Sequence, residues 1–315
     1  MQLSIRHLLG LDGVSAEDIT TILDTADAMK KVLQRPIPKV PTMRGKTVVN
    51  LFYENSTRTR ISFELAEKRL SADTVNFSTS TSSVKKGETL KDTIKNIEAM
   101  RIDFVVMRHG VPGSSHYLAS CVDASVVNAG DGPHEHPTQA LLDMMTIREK
   151  RGTLKGLNVC IVGDITHSRV ARSNVYGLLA MGAKVGVCGP ATLIPKDMAQ
   201  MGITVYPHIE DALAESDVLN VLRIQLERQK GALFPTLREY RNLFGITEAR
   251  LAQAKSDVTI LHPGPMNRGV EIDSEVADGP QAVILDQVTN GVAVRMAVLY
   301  LLAGGRSSFE GVENE

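Results

Sequence analysis

The chain has no tryptophan, only three cysteines, and aromatic residues at just 4% of its 315 positions. So few rings leave it poorly supplied with the stacking platforms that single-stranded nucleic acids use. Basic excess is missing too: 35 lysines and arginines face 36 aspartates and glutamates, for a formal charge of −1. A general nucleic-acid role is therefore set aside. Cys121, Cys160 and Cys188 are odd in number and none has zinc-ligand spacing, so free thiols in a reducing compartment are expected. The stretch from Met1 to His7 lacks the apolar core of a signal peptide. The longest apolar run near the C-terminus, Val292 to Ala303, is too short to cross a bilayer and carries Arg295. A cytosolic protein with no membrane span is the expectation. Low-complexity tracts and internal repeats are absent, and no Ser-His-Asp, Cys-His or paired-carboxylate arrangement emerges.

What is present has the 43% hydrophobic and 23% charged composition of a globular protein long enough for two domains. Ser15, with Asp18 three residues on, predicts a helix start, and Ile19, Ile22, Leu23, Ala26, Met29 and Val32 follow at helical spacing. Apolar strands are predicted at Thr47–Tyr53, Thr74–Phe77, Phe104–Met107, Ser125–Asn128, Leu157–Gly163, Lys184–Cys188, Ile203–Tyr206, Val218–Leu222, Thr259–Leu261 and Ala282–Leu285. Helical patterns lie between most of them, including Ile61–Leu70, Glu88–Met100, Thr138–Lys150, Ser168–Met181 and Asn290–Ala303. Strands alternating with helices predict an α/β fold of two doubly wound parallel-sheet domains, with ligands in a cleft between them. The expected domains are residues 1–137 with the C-terminal helix 290–315, and residues 138–289.

The most informative stretch is Glu54-Asn55-Ser56-Thr57-Arg58-Thr59-Arg60, placed between a predicted strand and a predicted helix. Hydroxyls, guanidinium groups and unpaired N–H groups at a helix N-terminus suit a phosphate dianion. A capped helix with solvated arginines is the plainer alternative. Arg108-His109 closes the Phe104–Met107 strand, where a side chain reaches a ligand crevice or merely ends a strand at the surface. His134-Glu135-His136-Pro137-Thr138-Gln139 sets two imidazoles at a helix start. His-x-His can chelate, but no clear third ligand lies nearby in sequence, so no metal is expected and hydrogen bonding to a polar carbonyl is the better reading. Ser82-Ser83-Val84-Lys85-Lys86-Gly87 is a basic loop, either a lid or simply solvated. Gly163-Asp164-Ile165-Thr166-His167-Ser168-Arg169 lacks Gly-x-Gly-x-x-Gly, which removes most support for a nicotinamide cofactor; no cofactor is expected. Arg169, and Arg223-Ile224-Gln225-Leu226-Glu227-Arg228 after another strand, suit carboxylates. His262-Pro263-Gly264-Pro265 forces an irregular loop whose carbonyls can accept from an amide, or which is only a rigid turn.

Ser56-Thr57-Arg58-Thr59-Arg60 together with His136-Pro137-Thr138-Gln139 resembles the carbamoyltransferase family, across essentially the whole chain. The resemblance implies that Ser56, Thr57, Arg58 and Thr59 hold the phosphate of carbamoyl phosphate. It implies that Arg108, His136 and Thr59 polarise the carbamoyl oxygen, and that Gln139 and the Gly264–Pro265 turn, through the Pro265 carbonyl, orient its NH₂. Arg223-Ile224-Gln225-Leu226-Glu227-Arg228 and His262-Pro263-Gly264-Pro265 are similar to the branch that carbamoylates aspartate, with Arg169, Arg223 and Gln225 on its carboxylates. The His-Cys-Leu-Pro and Ser-Met-Gly motifs of an ornithine branch are absent. Ser82 and Lys86 resemble residues that enter a neighbouring subunit's site. They imply a homotrimer with shared sites, and place Lys86 in the catalytic set on both the phosphate and aspartate sides. One departure is Thr166, where some members carry a lysine used in a domain-closure ion pair. Other amine acceptors such as ornithine, or a non-catalytic carbamoyl phosphate-binding protein, remain alternatives. Regulatory chains or a dihydroorotase remain possible partners.

Overall fold

A computed structural model describes residues 2–78, 89–224 and 236–305. The chain divides into two compact units, residues 1–145 with 289–315, and residues 146–288.

In the first unit, α1 (Ala16–Leu33) starts at Ser15, whose side chain accepts the Asp18 N–H, and buries Ile19, Ile22, Leu23, Ala26 and Met29. Then follow β1 (Thr47–Phe52), α2 (Thr57–Arg69), β2 (Asp73–Ser78), α3 (Leu90–Glu98), β3 (Phe104–His109), α4 (Ser114–Ala119), β4 (Ser125–Asp131) and α5 (Pro137–Arg151). The sheet is parallel, in the order β2-β1-β3-β4. Its central strands read as continuous apolar runs because both faces are covered. On one face Val49, Leu51, Val105, Met107 and Val126 pack with Ile94 of α3 and Leu118 of α4. The polar exception is Asn50 in β1, which is 1% exposed; its amide donates to Glu67 Oε2 at 3.1 Å and Asn76 Oδ1 at 3.1 Å.

The second unit contains β5 (Asn158–Val162), α6 (Arg169–Ala180), β6 (Lys184–Cys188), β7 (Thr204–Tyr206), α7 (Ile209–Glu215), β8 (Val218–Val221), α8 (Leu237–Phe244), α9 (Glu248–Leu251), β9 (Thr259–Leu261) and α10 (Ser274–Ala277). Its sheet is parallel, in the order β7-β6-β5-β8-β9. Val162, Leu219, Val221 and Ile260 pack with Ile209 and Leu213 of α7 and Tyr240 and Phe244 of α8. Cys160 and Cys188 are buried free thiols, the latter pushed up to about 12 by burial. Helix α11 (Ile284–Leu302) carries the chain back to the first unit.

Three differences from the expectations have local causes. The Ala282–Leu285 strand is reduced to one bridge, Ile260 with Ala282, because α11 begins at Ile284, six residues ahead of the predicted start. Helix α2 begins at Thr57, so Thr57, Arg58 and Thr59 form its first turn and do not precede it. The first crossing between units falls after Met145 inside α5, whereas residue 137 was expected. Helix α5 is already buried at Leu141, Met144 and Met145. Among the described residues no helix is long and apolar enough to cross a membrane.

Candidate active site

In the first sheet β1 leads to β2 on one side, while β3 and β4 lie on the other. The order therefore reverses between β1 and β3, and the carboxyl edge at such a reversal is where open α/β sheets bind ligands. The segments leaving β1 and β4 carry Ser56–Thr59 and His136, and Arg108 sits near the carboxyl end of β3, paired in register with Phe52. Sequence-distant residues are thus delivered to one sheet edge by strand order alone.

The start of α2 differs from the starts of α1 and α3. Ser15 and Thr89 each accept a first-turn N–H, with acidic residues close behind. Ser56 occupies the N-cap of α2 with no side-chain cap hydrogen bond, and the first turn holds no acidic residue. Its positive end and its orphan N–H groups are left for an anion. Ser56 and Thr59 are half-buried, while Thr57 and Arg58 are exposed at the same turn.

Arg108 lies within β3, not beyond it. Its Nη1 donates to the Ala129 carbonyl at 3.1 Å, and its Nε is 3.4 Å from Glu54 Oε2. Backbone and carboxylate together fix the guanidinium plane at the strand end. The neighbouring His109 accepts the Val111 N–H at Nδ1, 3.0 Å, and burial lowers its pKa.

His136 is buried directly before α5, and its carbonyl accepts the Gln139 N–H at 3.0 Å. The preceding Glu135 is anchored: its carboxylate accepts Leu11 N–H at 2.7 Å and Asp12 N–H at 3.3 Å. Gly10 makes that approach possible, since a Cβ there would sit 2.2 Å from Glu135 Oε1. The Gln139 amide nitrogen donates to Asp143 Oδ1 at 2.9 Å. Its amide oxygen is thereby turned away from that carboxylate and left as an acceptor. Asp143 in turn attracts the buried Arg295 of α11, whose Nη1 donates to Ser62 Oγ of α2 at 3.1 Å. Asp143 and Arg295 were missed as site-supporting residues; the signal was a lone arginine inside the apolar run Val292–Ala303.

In the second sheet the order reverses between β5 and β8. Arg169 opens α6 after β5, and Arg223 follows β8. Arg169 is buried and Arg223 half-buried. Ser168 caps α6 by accepting the Ala171 N–H at 3.1 Å. After β9 comes His262–Asn267, with a cis peptide between Gly264 and Pro265. His262 Nδ1 accepts the Gly264 N–H at 2.8 Å, so Nε2 carries the proton and donates to Glu271 Oε1 at 3.2 Å. The same Oε1 accepts the Asn267 N–H at 2.6 Å, and Asn267 Nδ2 donates to the Ile224 carbonyl at 3.1 Å. This fully buried pair therefore ties the Gly264–Pro265 turn to the segment bearing Arg223. Sequence reading did not find Glu271.

Thr166 is half-buried and its N–H donates to Leu193 O at 3.0 Å. Beside it, His167 Nδ1 lies 3.0 Å from both oxygens of the buried Asp164. Ser82, Lys86 and Gln225 lie outside the described residues.

The chain matches the carbamoyl-P binding domain of aspartate/ornithine carbamoyltransferase over residues 6–149, and the Asp/Orn binding domain over residues 155–302. It is 61% identical to an aspartate carbamoyltransferase catalytic subunit from Gemmatimonas aurantiaca, covering 96% of this chain and 94% of that one. Among solved structures, it is similar to an aspartate transcarbamoylase from Trypanosoma cruzi in complex with carbamoyl phosphate and aspartate. That match has 30% identity, a TM-score of 0.84, and coverage of 93% of this chain and 95% of the other. It is also similar to an ornithine carbamoyltransferase from Pyrococcus furiosus, with 31% identity, a TM-score of 0.85, and coverage of 97% and 99%.

Proposed function

Since this chain belongs to the aspartate/ornithine carbamoyltransferase family, we propose that the carboxyl edge of its first sheet is built to hold carbamoyl phosphate and that of its second sheet to hold aspartate. The reaction moves the carbamoyl group from carbamoyl phosphate to the α-amine of L-aspartate, giving N-carbamoyl-L-aspartate and phosphate, an early step toward pyrimidines.

The observation that carries the site assignment is the uncapped, acid-free start of α2 beside Arg108 at a strand-order reversal. Ser56, Thr57, Arg58 and Thr59 take the phosphate. Arg108, His136 and Thr59 donate to the carbamoyl oxygen as negative charge grows there. The Gln139 oxygen and the Pro265 carbonyl accept from the NH₂. Arg169, Arg223 and Gln225 meet the aspartate carboxylates. None of these residues is a general base for the amine, and the departing phosphate can take its proton, so rate comes from positioning and charge stabilisation. The Gly264–Pro265 loop, in place of His-Cys-Leu-Pro, supports aspartate over ornithine as acceptor.

Steady-state kinetics of single variants test the assignment. Arg58→Ala should raise KM for carbamoyl phosphate, and Arg223→Ala should raise KM for aspartate. His136→Ala should lower kcat by about 10²–10³. If Arg58→Ala and Arg223→Ala raised the same KM, the division of roles would fail. Ser82 and Lys86 are assigned to a neighbouring copy's site in a cytosolic homotrimer. Reassembling inactive Lys86→Ala subunits with inactive Arg58→Ala subunits should restore activity; no recovery would reject shared sites.

A further inference from the structure

We propose that His116, Asp131 and His134 form a binding site for a late first-row divalent cation, separate from the residues assigned to carbamoyl transfer. One ligand atom from each of the three lies within 4.8 Å of the others. His116 is on α4, Asp131 ends β4, and His134 is in the turn before α5. The fold brings together side chains spread over 18 positions of sequence, and His134 is grouped with Asp131 and His116, not with His136 of the His-x-His pattern.

Asp131 is fully buried and aimed. Its Oδ2 accepts the Gly113 N–H at 2.7 Å; its Oδ1 accepts Asn128 Nδ2 at 2.8 Å and the Glu135 N–H at 3.1 Å. His134 Nδ1 lies 3.0 Å from Oδ2 and 3.2 Å from Oδ1. A ring N–H fills that gap as a hydrogen bond, and a divalent cation could take the proton's place between the same two atoms. Bonds of about 2.1 Å to a nitrogen and an oxygen 3.0 Å apart subtend roughly a right angle, the cis geometry of six coordination. The His116 ring stands edge-on to the His134 ring with centroids 5.4 Å apart. His116 is exposed, so a small side-chain rotation brings its nitrogen to a third position, and water fills the rest. Two imidazoles and one carboxylate favour zinc, nickel or cobalt over magnesium or calcium. The bound ion would pin α4 to the turn leading into α5.

The test is calorimetric titration of Zn²⁺ into tag-free, chelator-stripped full-length protein. One ion per chain is expected. His116→Ala and His134→Ala should each weaken binding by at least about tenfold. Zn²⁺ should raise the thermal midpoint of the wild type but not of His116→Ala. Co²⁺ should give visible absorption bands that His116→Ala alters. His116→Ala, on an exposed position, should keep its turnover and its metal-free midpoint, so it carries the test if His134→Ala folds poorly. No uptake below ~100 µM, or unchanged stoichiometry and affinity in His116→Ala, would overturn the proposal.

Discussion

Replacing Arg295 by methionine would remove a buried positive charge that links three helices of the first unit. Arg295 is 3% exposed; its Nη1 donates to Ser62 Oγ at 3.1 Å and to the Gly291 carbonyl at 2.8 Å, and its guanidinium carbon sits 4.9 Å from the Phe63 ring centroid. Burial lowers its pKa to about 10, with Asp143 pulling the other way, so it stays charged at neutral pH. Methionine fills much of the volume but strips Asp143 of its counter-charge. Leaving a buried charge without the opposite charge the fold sets against it costs about 3–5 kcal/mol. For a unit of this size that is a fall of about 6–20 °C in thermal midpoint. Asp143→Asn should also destabilise, by leaving the guanidinium uncompensated. The double variant Arg295→Met/Asp143→Asn should lose at least about 1.5 kcal/mol less than the two singles summed, because no orphaned charge remains. The chain has no tryptophan, so far-UV circular dichroism is the suitable probe. Both single variants should also lower kcat/KM for carbamoyl phosphate, because Asp143 orients Gln139 and Ser62 belongs to α2. Strict additivity of the two substitutions, with unchanged kinetics, would refute the linkage.

Glu271→Ala should cost about 2–5 kcal/mol, since two buried donors lose their acceptor, and should raise KM for aspartate; Glu271→Gln keeps an acceptor oxygen and should cost about 1–2 kcal/mol. Equal urea midpoints for the two variants would sink that reading. Glu67 is fully buried, and burial raises its pKa to about 8. The folded chain therefore holds a proton that the unfolded chain releases above about 4.5, and this group's contribution falls as pH rises from there to about 8. The slope is on the order of 1.4 kcal/mol per pH unit at most. Urea midpoints of Glu67→Gln minus wild type should widen between pH 6 and 8 and level off above; a flat difference would contradict the buried neutral carboxyl. Gly291→Ala should mimic part of the Arg295 defect, because a Cβ there would lie 2.7 Å from Arg295 Nη1; a thermal midpoint equal to wild type would argue against it.

The parallel sheets were legible because β1, β3, β5 and β8 are apolar runs followed by turn and cap chemistry. The positions of Ser56–Thr59, Arg108, His136, Arg169 and Arg223 could be read from the sequence because each lies at or just after the end of a strand, where such folds place ligands. Support for those residues could not. Asp143 and Arg295 are joined by α5 and α11 packing, and Glu271 meets His262 through a loop closure nine residues long. His116 and His134 are brought together only by the order of β3 and β4. Ala282–Leu285 misled because a short apolar run serves equally as a strand or as the first turn of α11.

The most direct measurement is phosphate release from carbamoyl phosphate, with L-aspartate in one reaction and L-ornithine in another. Release should depend on aspartate and be lost in Arg58→Ala. Release with ornithine alone, or aspartate-dependent release undiminished in Arg58→Ala, would contradict it.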